Sequence, residues 1–159
     1  MSNSLKKYPD YNGKRKPKLL IVDDEELLID SIKMILGDNF EIVSASNGLE
    51  AIEMYEKHKP DVVLMDIMMP RMNGIEATKK ILEIDPTAKI LAISAYTEKK
   101  GKEIIEAGAL DILPKPFKRS ELRKFIMKYV EYDKKDHQKD QDGKKSNDQK
   151  SNNSKRETP

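Results

Sequence analysis

Several apolar runs in this chain stop at a residue that can do chemistry. Leu19-Leu20-Ile21-Val22 ends at Asp23-Asp24, and Val62-Val63-Leu64-Met65 ends at Asp66. Lys89-Ile90-Leu91-Ala92-Ile93 delivers the hydroxyl of Ser94, and Leu110-Asp111-Ile112-Leu113 leads into Pro114-Lys115-Pro116. Carboxylates gathered at one place repel one another, and the cost falls only when a cation or a proton sits among them. A lysine between two prolines is a charge held in a fixed place, because each ring fixes its own φ and restrains the residue before it. Taken singly, each residue has an ordinary role. An aspartate after a strand forms turns, a serine caps a helix and most lysines are solvated. What sets these apart is that all of them fall at the ends of successive apolar runs.

These runs are short and rich in β-branched residues, which reads as strands buried on both faces of a parallel sheet. The first strand is followed by Glu25-Glu26 and a helix with Leu28, Ile32, Ile35 and Leu36 at helical spacing, stopped by Gly37. The acidic start suits the positive end of the helix dipole. Residues 40–45 read as the second strand. Asn47 is the N-cap of a helix striped by Leu49, Ile52 and Tyr55, which Pro60 closes. After Asp66 comes a turn over Pro70 to Gly74, then a helix with Ala77, Ile81 and Ile84 that ends near Asp85-Pro86. The helix after Ser94 carries Ile104, Ile105 and Ala107 before Gly108, a thin apolar face that predicts the least firmly packed helix. The last helix has the clearest stripe, with Leu122, Phe125, Ile126, Tyr129 and Val130.

Strict β/α alternation implies an α/β fold, a doubly wound five-stranded parallel sheet with helices on both faces. The order 2-1-3-4-5 sets strands one and three side by side at the switch point, where ligands bind beyond the strands' carboxyl ends. Asp23, Asp24 and Asp66 would meet there. The expected organisation is a flexible arm over 1–17, one domain over 18–131 and a disordered polar tail over 132–159, since Asp133 to Pro159 carries no large apolar side chain to offset its ordering entropy.

Composition narrows the function classes. The 159 residues contain no cysteine, which excludes disulfides, thiol chemistry and cysteine metal sites. Two histidines, His58 and His137, have no second histidine at ligand spacing, against a zinc site. The formal charge of +2 is the remainder of large, nearly balanced numbers, and gives no argument for nucleic acid. No apolar run approaches the roughly 20 residues needed to span a bilayer, and the polar start lacks a secretory signal. The expectation is a cytoplasmic protein that contacts neither membrane nor nucleic acid directly.

The joint pattern resembles the receiver domain of bacterial and archaeal response regulators. It comprises Asp23-Asp24, Met65-Asp66 with Pro70 and Gly74 following, Ser94, and Lys115-Pro116, in that order at successive strand ends. The strand order above is the one this family is known for, so it is no independent deduction. The resemblance implies that Asp66 is the phosphoacceptor, taking a phosphoryl group from a histidine kinase or a histidine phosphotransfer protein. It implies Mg2+ as cofactor, with Asp24 the main side-chain ligand beside Asp66, Asp23 binding through water and the backbone carbonyl of Met68 completing the protein's share. Magnesium does favour hard oxygens and keeps several waters. Lys115 would pair with the phosphoryl and Ser94 would hydrogen-bond to it once attached. The Lys115-Pro116 bond would be cis, whereas any single X-Pro bond is ordinarily trans.

One position departs from the pattern. Where family members often carry a switching Tyr or Phe three residues before the lysine, this chain has Ile112, so a coupled aromatic flip cannot occur there. Tyr96, two residues after Ser94, is the candidate substitute, and bulky Met68 and Tyr96 beside the site imply slow loss of the phosphoryl. The implied protein is a stand-alone regulator that catalyses only its own phosphorylation and dephosphorylation. It would be a monomer or weak dimer that presents the face of helix four, strand five and helix five to a target protein. Its rivals are a phosphorylation-independent scaffold and an aspartate-nucleophile phosphatase of the haloacid dehalogenase type, which would want an acid where Met68 stands.

Overall fold

The computed structural model describes residues 16–95 and 98–130. The expected arm up to residue 15, the expected tail and Tyr96 lie outside the described residues. The chain divides at Phe125 into two units, and the sheet and every described site residue belong to the first.

The elements follow the alternation read from the sequence. They are β1 (Lys18–Val22), α1 (Glu26–Leu36), a 3-10 turn (Gly37–Asn39), β2 (Glu41–Ala45), α2 (Gly48–His58), β3 (Val62–Asp66), α3 (Gly74–Ile84), β4 (Ile90–Ser94), α4 (Lys99–Ala107) and β5 (Asp111–Pro114). A further helix, α5, occupies residues 119–130. The sheet is parallel throughout, in the order β2-β1-β3-β4-β5. Among the described residues no helix is long and apolar enough to cross a membrane.

The central strands β3 and β4 are buried along their whole length, as expected of strands covered on both faces. Leu20, Val22, Val63, Met65, Ile90 and Ala92 form part of one core cluster with Ala51 and Tyr55 of α2 and Ala77 and Ile81 of α3. Burying one such large side chain contributes about 1.5–3 kcal/mol, so the register of these strands is fixed by their side chains. That register aligns Val22 with Met65 and Asp66 with Ile93, which brings the chemically active ends of β1, β3 and β4 to one edge.

Several sequence expectations need correction. In α1 the expected stripe is buried at Ile32 and Leu36 but only half-buried at Leu28 and Ile35. Ile29, outside that stripe, is buried while Leu27 is 83% exposed, a choice among three consecutive apolar residues that spacing alone cannot make. Leu49, Ile84 and Ile105, read as parts of apolar stripes, lie substantially in solvent. Each belongs to the outer flank of its stripe, beyond the reach of the sheet. Leu110, expected to open the fifth strand, falls just before β5 and is exposed, although its N–H donates to the Ile90 carbonyl at 2.8 Å. The thin face of α4 is as expected, with only Gly101 and Ile104 buried.

Helix ends show their local causes. Asn47 caps α2 by accepting from the Glu50 N–H at 2.9 Å, as expected, and Asn73 caps α3 through the Glu76 N–H at 3.0 Å. At the other end of this helix pair, the Tyr55 hydroxyl of α2 donates to Asp85 Oδ2 at 2.7 Å, just past α3. Burial and this bond raise the Tyr55 phenol above its ordinary range, while Asp85, held by Thr87 and by Tyr55, lies below the usual carboxylate range.

Candidate functional site

Strand β1 hands the chain to Asp23, whose N–H donates to the carbonyl of Ala45 at 3.1 Å, so the first acidic residue is tied to the end of β2. Its side chain is wholly buried. Asp23 Oδ1 accepts the Glu25 N–H at 2.9 Å, and Oδ2 accepts Lys115 Nζ at 3.0 Å. Asp24 beside it is exposed. Strand β3 ends on Asp66, which is 5% exposed and sits 3.4 Å from Lys115 Nζ through Oδ1. One carboxylate oxygen from each of Asp23, Asp24 and Asp66 lies within 4.8 Å of the others. The expected convergence of these three residues and Lys115 is therefore present.

Ser94 ends β4 and is buried, and the backbone N–H of Lys115 donates to its carbonyl at 2.7 Å. Serine and lysine thus arrive at the cluster from adjoining strands. The Lys115-Pro116 peptide is cis, as the resemblance implied and against the ordinary preference. Ile112 is half-buried in β5, opposite Ala92, and packs against the core cluster. Met68 stands two residues beyond Asp66 with 57% of its surface exposed. It is thus surface and not the packing residue its neighbours are, since Met69 and Met72 pack on the core.

Gly74 has a structural reason that the turn alone did not reveal. A Cβ there would collide with the backbone oxygen of Asp66, and the Gly74 N–H donates to Ile67 at 2.9 Å. Only glycine lets the start of α3 press this closely on the end of β3. The loop between them is thereby folded tight beside the carboxylates.

The electrostatics follow from burial. Loss of water around Asp66 and repulsion from Asp23 raise its pKa from 3.8 to about 6, against the opposing pull of Lys115. For Lys115, burial works to lower the pKa, but the hydrogen bond to Asp23 and the charges of Asp66 and Asp23 outweigh it, so the ammonium is held more firmly than usual. Three carboxylates against one ammonium leave the cluster short of two positive charges. All the donors are hard oxygens, and the deficit is that of a divalent cation. The residues present therefore fit Mg2+.

Comparison with known proteins agrees with this geometry. The family model for the response regulator receiver domain matches residues 19–127. The chemotaxis protein CheY of Thermotoga maritima is 47% identical over 111 residues, covering 68% of this chain and 90% of that protein. CheY of Halobacterium salinarum is 43% identical over 104 residues, covering 64% of this chain and 87% of the relative. Among solved structures, the CheX-CheY-BeF3-Mg+2 complex from Borrelia burgdorferi matches with a TM-score of 0.71 at 30% identity, over 76% of this chain and 93% of that one. A CheY-like receiver domain from Methanospirillum hungatei matches with a TM-score of 0.70 at 28% identity, over 76% and 99%. This chain thus belongs to the response regulator receiver domain family, the phosphoacceptor regulators of two-component signalling.

Proposed function

We propose that residues 18–131 are a receiver domain in which Asp66 accepts a phosphoryl group from the phosphohistidine of a kinase or a phosphotransfer protein. The observation that carries this reading is the gathering of Asp23, Asp24 and Asp66 about Lys115 at one sheet edge. An Asp66 carboxylate oxygen attacks phosphorus, the P–N bond to the donor imidazole breaks, and the imidazole leaves with the electron pair. Phosphoryl transfer asks little covalent work of the protein beyond aiming and neutralising charge.

Each neighbour has a part in this scheme. Asp24, exposed, is free to offer its carboxylate directly to Mg2+, with Asp66 and the Met68 carbonyl. Both oxygens of Asp23 already accept hydrogen bonds, which suits a ligand acting through water. When bound, the ion supplies positive charge to the transferred oxygens. Lys115 turns from the carboxylates toward the new phosphoryl, and Ser94 donates its hydroxyl to it. The change of about −1.5 to −2 charges at Asp66 then shifts the population of the surface of α4, β5 and α5. A target protein or a phosphotransfer partner reads that surface. The CheY relative from Borrelia burgdorferi, solved as a complex with CheX, BeF3 and Mg+2, is the precedent for a partner and for the ion.

The test is incubation with acetyl phosphate, with and without Mg2+, followed by intact mass and amide-resolved NMR. The reading expects a Mg2+-dependent gain of one phosphoryl, absent in Asp66→Asn, with shifts across α4, β5 and α5. No gain under either condition, with rapid turnover excluded by monitoring phosphate release, would overturn it in favour of a phosphorylation-independent scaffold.

A further inference from the structure

The loop from Ile67 to Asn73 carries the Met68 carbonyl, yet its own residues do not hold it in place alone. It is seated on the turn between β2 and α2. The Gly48 N–H, one of the donors that a helix start leaves without an intrahelical partner, donates to the Met72 carbonyl at 3.2 Å. The approach is so close that a Cβ on Gly48 would lie 2.6 Å from that oxygen and 2.8 Å from Met72 Cβ and Cγ. A helix ordinarily gains from alanine over glycine, so glycine here answers to proximity and not to helix formation.

The turn that presents Gly48 is itself locked. Ser46 gives both its N–H and its hydroxyl to Glu50 Oε2, at 3.1 and 2.8 Å, while Asn47 accepts the Glu50 N–H. At its near end the same turn accepts the Asp23 N–H through Ala45. Residues 45–50 therefore touch both flanks of the acidic cluster, the Asp23 side through Ala45 and the Met68 side through Gly48 and Met72.

Building on the reading of a Mg2+-dependent receiver, we propose that the β2–α2 turn is a brace for the metal site, and that Gly48 is its positioning residue. Gly48 sets the depth at which the 67–73 loop lies against the carboxylates, and so where the Met68 carbonyl is offered. A Cβ at position 48 pushes Met72 outward and carries that carbonyl with it. Removing the Asn47 cap loosens the same support without adding an atom.

The experiment is a titration of the phosphoryl-free full chain with Mg2+ alone, followed by amide NMR, on wild type, Gly48→Ala, Asn47→Ala and Gly108→Ala. The last is a control for general destabilisation. Gly108 has φ +119°, and a Cβ there would strike Leu82, away from the loop. We expect Mg2+ binding weakened at least fivefold in Gly48→Ala and about twofold in Asn47→Ala, with amide shifts concentrated at 67–73 before any ion is added. Gly108→Ala should bind as wild type. Wild-type Mg2+ affinity in Gly48→Ala, or an equal loss in Gly108→Ala, would overturn the brace. Should Gly48→Ala fail to fold, undiminished affinity in Asn47→Ala would do the same. A wild-type protein that binds no Mg2+ would instead overturn the reading on which the brace rests.

Discussion

Asp66→Asn should make the protein more stable while removing its phosphoacceptor. In the native fold, desolvation and repulsion from Asp23 raise the Asp66 pKa from 3.8 to about 6. Above pH 6 the carboxylate is charged in both folded and unfolded chains, and the fold carries the whole cost of that charge. A rise of about two pH units corresponds to about 3 kcal/mol. That rise already includes the opposing pull of Lys115 at 3.4 Å, so the expected gain is up to about 3 kcal/mol. For a domain of this size that is roughly 9–18 °C in Tm. Between pH 3.8 and 6 the folded chain binds at Asp66 a proton that the unfolded chain has released, so the Asp66 contribution to stability falls as pH rises through that window and levels off above it. The advantage of Asp66→Asn should accordingly be full at pH 7.5 and gone near pH 3.5. Thermal and urea unfolding in EDTA at both values would show it. An asparagine variant no more stable than wild type at pH 7.5, or equally favoured at both pH values, would refute the reasoning.

Further expectations follow from the same geometry. Lys115→Met removes a group that lowers the Asp66 pKa, so Asp66 should titrate above about 6, read from its carboxyl carbon by NMR; an unchanged midpoint would count against the assigned pairing. Gly74→Ala, forced against the Asp66 carbonyl, should lose about 2–4 kcal/mol in urea unfolding, and a loss below 0.5 kcal/mol would mean that the backbone yields there. The buried hydroxyl of Thr78 has no hydrogen-bond partner among the described residues, so Thr78→Val should gain about 1 kcal/mol; a loss of stability would reveal an interaction of that hydroxyl.

The sequence made the sheet and its acidic edge legible because each strand carries its own signal. A short β-branched run ending in Asp, Ser or Lys reports its position without knowledge of the rest of the chain. Asp23, Asp24 and Asp66 could thus be placed together once the strand order of the resembled family was adopted, and Lys115 joined them through the resemblance. What stayed hidden depends on contacts between distant segments. Gly48 follows an N-capping asparagine and reads as an ordinary first helical residue; its neighbour Met72 lies in another loop. Lys115 was expected to serve the phosphoryl, but in this structure its shorter contact is to Asp23, which only the fold could reveal. In α1 the run Leu27-Leu28-Ile29 supplies more apolar surface than one face can bury, and the sheet selects Ile29. The missing acid at Met68, by contrast, was plain in the sequence, and the family model that matches the chain is that of the receiver domain.

The two tethers of α2 have a mechanical consequence. One end of this helix is fixed to the loop before α3 through Gly48 and Met72, and the other to the residue after α3 through Tyr55 and Asp85. A rod pinned to its neighbour at both ends can neither slide nor pivot against it, so α2 and α3 form a stiff plate beneath one side of the acidic edge. α3 also carries α4, which joins the same core cluster through Ile104 and buries only Gly101 besides. Restraint within this helical layer is therefore uneven: α2 is tied to α3 at two points, while α4 leans on it through a thin face.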